Sequence, residues 1–440
     1  MKLKNRWAII GLILMTAVVT GCSNKDSFEE PGPKTDPVDL DSIGPKKAKP
    51  FVLTPAEQEM VNHSNEFAFN LFKQIVDSRS TDESKKNESI IISPISITYA
   101  LGMLNNGAAG NTQAQINKVL GFDDTGAAGV NDFCKKMLDS IPHLDALTKV
   151  MIANNIYVNK NYVLKPEFIQ TANTYYNAYP ETRDFYDRKT LDVINKWASD
   201  HTEKMIDKVL DEGSFNPDAV SYLLNAIYFK GMWTSKFNKE HTYQEEFYHA
   251  GNSQDVTTSY MMNQIGQFNY TDIDGYQVLC LPYGNQAFNM TIFLPRVTEW
   301  ETVHALPAVP SVETWQQLKT GMHGKLVNVK LPRIETDTDV NLNEIMSALG
   351  MPDAFDSDKA DFSDFCNTGV YIGLMKQVAK IKLDEEGTEA AAVTVVGTFE
   401  TAMHGYQPTE ISFNANHPFL YVISENSTGA ILFIGQYTGY

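Results

Sequence analysis

The segment that most restricts this chain begins at Gln377. Gln377, Ala379, Ile381 and Leu383 alternate with Val378, Lys380 and Lys382, which predicts a strand with one apolar and one cationic face. The pattern then breaks. Asp384-Glu385-Glu386-Gly387-Thr388-Glu389-Ala390-Ala391-Ala392-Val393-Thr394-Val395-Val396-Gly397 is small and β-branched with almost no bulk, unlike an ordinary surface loop, which is polar and rich in turn formers. Glu385 to Ala392 favour one or two turns of helix, whereas the Thr and Val residues from Val393 onward favour a strand. Such conflict is expected of a segment that lives in two conformations.

Elsewhere helical and strand patterns alternate irregularly, with no repeat and no regular strand-helix rhythm, which favours an α+β fold. Phe67, Ala68, Leu71, Phe72 and Ile75 predict an amphipathic helix after the capping candidates Asn62 and Ser64; Ile194, Trp197, His201, Met205 and Val209 predict another. Met290, Ile292 and Leu294 alternate with Asn289 and Thr291, and Phe419–Ile423 and Ile431–Tyr437 flank the turn Asn426-Ser427-Thr428-Gly429 as a C-terminal antiparallel hairpin. No linker interrupts residues 54–440, so one domain is expected there.

The chain starts with an address. Lys2, Lys4 and Arg6 precede an apolar run from Trp7 to Val19, and Val19-Thr20-Gly21-Cys22 follows. The run is shorter than the roughly 20 residues a spanning helix needs. The four residues resemble the bacterial lipobox, in which the cysteine becomes lipidated, so residues 1–21 are expected to be a signal peptide and Cys22 a membrane anchor. An ordinary secretory signal with a chance cysteine is the alternative. Ser23 and the acidic residues after it resemble outer-membrane or cell-surface sorting, which implies a lipid-anchored envelope protein. Residues from Pro31 to Pro55 are rich in Pro, Asp and Lys, so 22–53 should be a flexible tether.

With 54 acidic against 36 basic side chains the net charge is -18, which argues against nucleic acid as a partner. Of four cysteines, Cys134, Cys280 and Cys366 remain after Cys22, an odd count that argues against a disulfide framework. With no C-x-x-C and nine scattered histidines, no zinc or other cofactor is expected. The nucleophile-elbow, zinc-protease, phosphate-loop and dinucleotide motifs are absent too, which weakens an enzyme reading without excluding a triad assembled by the fold.

Glu385-Glu386-Gly387-Thr388-Glu389-Ala390-Ala391-Ala392 resembles the serpin hinge almost letter for letter. Ile92-Ser93-Pro94-Ile95-Ser96, Leu224-Asn225-Ala226-Ile227-Tyr228-Phe229-Lys230-Gly231-Met232-Trp233, Phe237, Thr242 and Phe247 follow the same family order. So do Leu331-Pro332-Arg333, Ala360-Asp361-Phe362-Ser363, His417-Pro418-Phe419-Leu420 and Phe433-Ile434-Gly435, and the likeness spans about residues 56–440.

The resemblance implies a serpin fold: a large mixed or antiparallel central sheet, additional sheets, a helical bundle and an exposed reactive-centre loop near 385–410. It implies a monomeric suicide inhibitor of serine or cysteine proteases: the loop is cut, an acyl-enzyme forms, and the loop inserts into the sheet as a new strand. In such a strand Thr388, Ala390, Ala392, Thr394, Val396 and Thr398 share one face, and all are small or β-branched. Fourteen residues from Thr388 to Thr401, at ~3.3 Å each, would carry the protease on the order of 45 Å.

By the same resemblance Ser93, Ser96 and Asn225 match a polar shutter beneath the sheet, with Gln377 where a histidine often stands, and Glu385 and Arg333 match an ion pair at the sheet top. The usual spacing puts the cut at Thr401-Ala402, with Phe399, Met403 and His404 as alternatives because Met403–Pro408 lengthens the loop. The surroundings suit an elastase- or subtilisin-like pocket, and no Lys or Arg follows Lys382, which disfavours trypsin-like targets. Val393 replaces a common alanine. The alternative function is a non-inhibitory binding or carrier protein of the same fold, a class that keeps the body and degrades the hinge.

Overall fold

The computed structural model describes residues 47–251, 256–297, 303–388 and 410–440. Among them are eight α-helices: α1 (Pro55–Ser80), α2 (Pro94–Asn105), α3 (Gly110–Leu120), α4 (Gly126–Ser140), α5 (Pro166–Tyr176), α6 (Lys189–His201), α7 (Val312–Gly321) and α8 (Asn343–Leu349). None is long and apolar enough to cross a membrane.

Helix α1 starts more than two turns before its expected caps. Thr54 Oγ1 accepts from the Glu57 amide, the Glu57 carboxylate accepts from the Thr54 amide, and Pro55 opens the first turn. Its buried face includes Phe67, Ala68, Leu71, Phe72 and Ile75, as the periodicity predicts. Helix α6 is shorter than its pattern suggests. It stops at His201 because Glu203 and Lys204 adopt left-handed backbone, φ 49° and 67°, so Met205 and Val209 lie beyond it.

Fifteen strands, numbered along the chain, form two sheets. The larger runs β1 (Ile90–Ile92), β15 (Ile431–Tyr437), β14 (Phe419–Glu425), β8 (Phe288–Pro295), β7 (Tyr276–Tyr283), β6 (Val256–Ile273), β9 (His323–Pro332) and β13 (Ile411–Asn414). Strand β5 (Thr242–Tyr248) pairs a separate stretch of β6. The additional sheets expected are thus one continuous sheet, because β6, 18 residues long, pairs with β5 along its first part, with β9 along its middle and with β7 at its end. Strands β14 and β15 form the expected hairpin.

The second sheet runs β10 (Ile334–Asn341), β11 (Lys376–Asp384), β12 (Gly387–Thr388), β4 (Ser221–Met232), β2 (Thr148–Asn159) and β3 (Glu181–Arg183). It is mixed, since only β2 and β3 are parallel. In β11 the residues Gln377, Ala379, Ile381 and Leu383 are buried and Val378, Lys380 and Lys382 are not. Cys134, Cys280 and Cys366 are free and buried, and burial pushes the Cys280 thiol up to about 12.

The segment before α1 touches the body earlier than a tether ending at residue 53 allows. The Ala48 amide donates to the Asn285 carbonyl at 2.8 Å and the Phe51 amide to Ser427 Oγ at 2.8 Å. Residues Ala48, Phe51 and Leu53 supply the apolar contacts that polar composition alone conceals.

Candidate functional site

Strands β4 and β11 meet through β12, and among the described residues they pair nowhere with each other. Gly387 and Thr388 lie opposite Asp384 and Leu383 on one side and Met232 and Gly231 on the other. A two-residue strand thus occupies the top of a lane one strand wide.

Glycine is required at its first position. Gly387 has φ +145°, and a Cβ there would overlap the Gly231 carbonyl and lie 2.7 Å from Met232 Cα. Thr388 is only 2% exposed, and its Oγ1 shares a 2.8 Å hydrogen bond with Tyr283 Oη from the other sheet. Trp233 closes the same corner: its backbone amide donates to the Glu386 carbonyl at 2.8 Å and its indole to the Asp384 carbonyl at 3.0 Å.

Two carboxylates fix the turn before β12. Glu385, 1% exposed, receives Arg333 Nη2 at 2.7 Å and Nε at 3.0 Å, and the Thr242 hydroxyl at 2.7 Å. Burial pushes its carboxyl upward, yet the bonds from Arg333 and Thr242 more than offset this and hold it below its ordinary value. Glu386 pairs with Lys236 at 2.7 Å and Lys239 at 3.4 Å, and these lysines likewise outweigh burial and lower its pKa. Sequence reading missed Lys236, Lys239, Thr242 as a ligand, and Tyr283. Only the closeness of Lys236 and Lys239 to the matched Trp233 and Phe237 hinted at any of them.

Three of the four shutter residues come together. Gln377 Oε1 accepts from the Ser93 amide at 3.0 Å, and Nε2 donates to the Ser93 carbonyl at 2.9 Å and Ser96 Oγ at 2.7 Å. Ser93 Oγ donates to the Leu432 carbonyl at 2.8 Å. Asn225 stands apart from this group. Its Nδ2 donates to Asn154 Oδ1 at 2.7 Å across the β2–β4 pair, while its buried Oδ1 has no hydrogen-bond partner. Asn154, which in turn donates to the Tyr176 carbonyl at 2.8 Å, was not foreseen.

The remaining site residues expected from sequence lie outside the described residues: Glu389, Ala390, Ala391 and Ala392 of the hinge, Phe399, Thr401, Ala402, Met403 and His404 around the cut, and Cys22.

A family model described as "Serpin (serine protease inhibitor)" matches residues 62–439, and the chain belongs to the serpin family. Human Serpin B3 is 32% identical over 397 residues, covering 85% of this chain and 98% of that protein. Human leukocyte elastase inhibitor is 33% identical over 395 residues, covering 87% and 99%. The native thermophilic serpin tengpin superposes with a TM-score of 0.75 at 28% identity, covering 90% of this chain and 97% of tengpin. Thyroxine-binding globulin in complex with thyroxine reaches a TM-score of 0.74 at 24% identity, covering 87% and 99%, a likeness of fold alone.

Proposed function

We propose that this serpin is an irreversible suicide inhibitor of serine endopeptidases, with cysteine endopeptidases as further candidates, and not itself an enzyme. The observation that carries the reading is β12: the first two residues of the segment already run between β4 and β11, antiparallel to both. Continued in that register, the segment would lay residues 390, 392 and 394 beside Ile381, Ala379 and Gln377 of β11 and Phe229, Ile227 and Asn225 of β4. Those positions are Ala390, Ala392 and Thr394, small enough to enter without overpacking. Residue 389, a glutamate, would lie on the other face between Lys230 and Lys382.

The reaction starts as ordinary proteolysis. The protease nucleophile attacks the carbonyl of Thr401, the bond to Ala402 breaks, the new amine leaves with the catalytic proton, and an acyl-enzyme remains on Thr401. Insertion then competes with water. Each ladder bond and buried methyl adds about 1 kcal/mol, and a whole strand adds enough to make the step one-way. The sequence around Thr401 favours elastase- or subtilisin-like targets. Lipidation at Cys22 would hold the inhibitor, as a monomer, at the outer membrane or cell surface of a bacterium.

Incubation with elastase-like and papain-like proteases should give an SDS-resistant complex, and cutting between Val395 and Met403 should raise the melting temperature by tens of degrees. Cleavage without trapping and equal melting curves would favour the carrier alternative. Membrane release on Cys22→Ser tests the anchor independently.

A further inference from the structure

The lane between β4 and β11 must be entered at its top, so whatever holds the first residue there governs how soon the rest follows. We infer that Tyr283 is the positioning residue for strand insertion: its hydroxyl holds Thr388 in the lane through a side-chain bond from beneath. The inference rests on the inhibitory reading and adds to it a residue from the other sheet.

The Tyr283 Oη to Thr388 Oγ1 bond, 2.8 Å, is buried on both sides and is the one hydrogen bond Tyr283 Oη makes among the described residues. The ring cannot drift. It stacks on Trp233 with centroids 4.4 Å apart and planes 9° apart, and Phe229 meets it edge-on at 5.1 Å. Its backbone neighbours are tied to the end of β4, the Gly284 amide donating to the Met232 carbonyl at 2.8 Å and the Thr234 amide to the Pro282 carbonyl at 2.9 Å.

Gly231 gives the ring its place. A Cβ at Gly231 would come within 2.8 Å of Tyr283 Cδ1, so the glycine opposite Thr388 leaves room for the tyrosine beneath the strand. The Trp233 that stacks on Tyr283 also donates to Glu386 and Asp384, so one aromatic pair grips the hinge on both sides of Gly387. A hydroxyl at Thr388 is therefore read, and a methyl of the same shape is not equivalent.

The test is a double-mutant cycle on the full chain, with Tyr283→Phe, Thr388→Val and the pair combined. Each single change leaves one buried hydroxyl without a partner. It should raise the number of inhibitor molecules cleaved per subtilisin-type protease trapped by about 5-fold, and the double variant should stand at about that same level, because it lacks the same bond. Thr388→Ser should behave as wild type. Additive effects in the double variant, or unchanged trapping ratios beside a lowered melting temperature, would assign the bond to stability alone and overturn the inference.

Amide hydrogen exchange at Thr388 supplies a readout that needs no trapping. Tyr283→Phe, or Thr388→Val should the first variant not fold, should speed exchange at position 388 about 5-fold relative to exchange at Ile381, and equal rates would also overturn it. A wild-type protein that traps no protease defeats the inhibitory reading, while the exchange result still decides whether Tyr283 holds the hinge.

Discussion

Glu385 and Arg333 face each other across the top of the sheet, the guanidinium placing Nη2 2.7 Å and Nε 3.0 Å from the same carboxylate oxygen. Arg333 lies between β9 and β10 and stacks over Tyr260 with its guanidinium carbon 4.9 Å from the ring centroid, while Glu385 lies in the turn entering β12. The pair therefore ties the hinge to the outer strand pair β10–β11 and, through Thr242, to β5.

Arg333→Ala should leave a carboxylate that is 1% exposed with too few partners. Breaking a fully buried pair costs roughly 3–5 kcal/mol, and the 42% exposure of the Arg333 side chain moves the expectation to the low end or below it, about 2–3 kcal/mol. Glu385→Lys reverses the charge beside Arg333 and should go further, opening the top of the lane and promoting polymers through loop exchange. Denaturant midpoints and native gels measure both, and an unchanged midpoint and monomer yield would remove the clamp from the account.

Acid should loosen the same corner. The carboxyls of Glu385 and Glu386 both titrate below the ordinary 4.5 in the folded chain, so the unfolded state binds protons first as pH falls. Their stabilisation is complete above about 4.5 and is lost as pH drops through the lower folded values. Glu385→Gln should flatten that part of the stability curve below about pH 4.5, and a curve parallel to wild type would show that other groups set the acid limit.

What sequence could reveal divides along the range of the interactions. The α1 face and the burial parity of β11 are local periodicities and were legible. The second helix was overextended because Met205 and Val209 happen to continue the spacing, while two left-handed residues, Glu203 and Lys204, break the backbone. Nothing local links Tyr283 to Thr388, 105 positions apart, or Glu386 to Lys236, 150 apart, since each pair is brought together by sheet order. Asn225 was placed with Gln377 through family likeness, but its described partner is Asn154, because the β2–β4 register sets those two side by side.

Gln377 should be the structural centre of the shutter. It is 8% exposed and makes hydrogen bonds to the Ser93 amide, the Ser93 carbonyl and Ser96 Oγ. Gln377→Ala strands those groups beneath the sheet and should cost about 2–4 kcal/mol in a urea titration. Gln377→His should recover part of that loss at neutral pH and make stability pH-dependent near roughly 6.5, a sensitivity an amide cannot supply. Indistinguishable urea midpoints for wild type and the alanine variant would show that Ser93 and Ser96 are held without it.

The most demanding expectation concerns Thr388→Arg. Thr388 sits between Gly231 and Leu383 with its side chain turned onto Tyr283, so a guanidinium there faces an apolar, fully occupied corner. Burying it unpaired costs several kcal/mol, and the chain should avoid that cost by withdrawing the hinge from the lane. Cleavage at Thr401 should proceed at the wild-type rate, because thirteen positions separate it from Thr388. Insertion should lag behind hydrolysis of the acyl-enzyme, so the variant should be consumed as a substrate and the protease should regain full activity. Ala391→Glu lies on the opposite parity, where an inserted side chain would face outward, and it should leave more complex on an SDS gel. Thr388→Arg trapping as much protease as wild type would mean that entry at the top of the lane does not limit the reaction, and the inserting-strand mechanism would have to be given up for this protein.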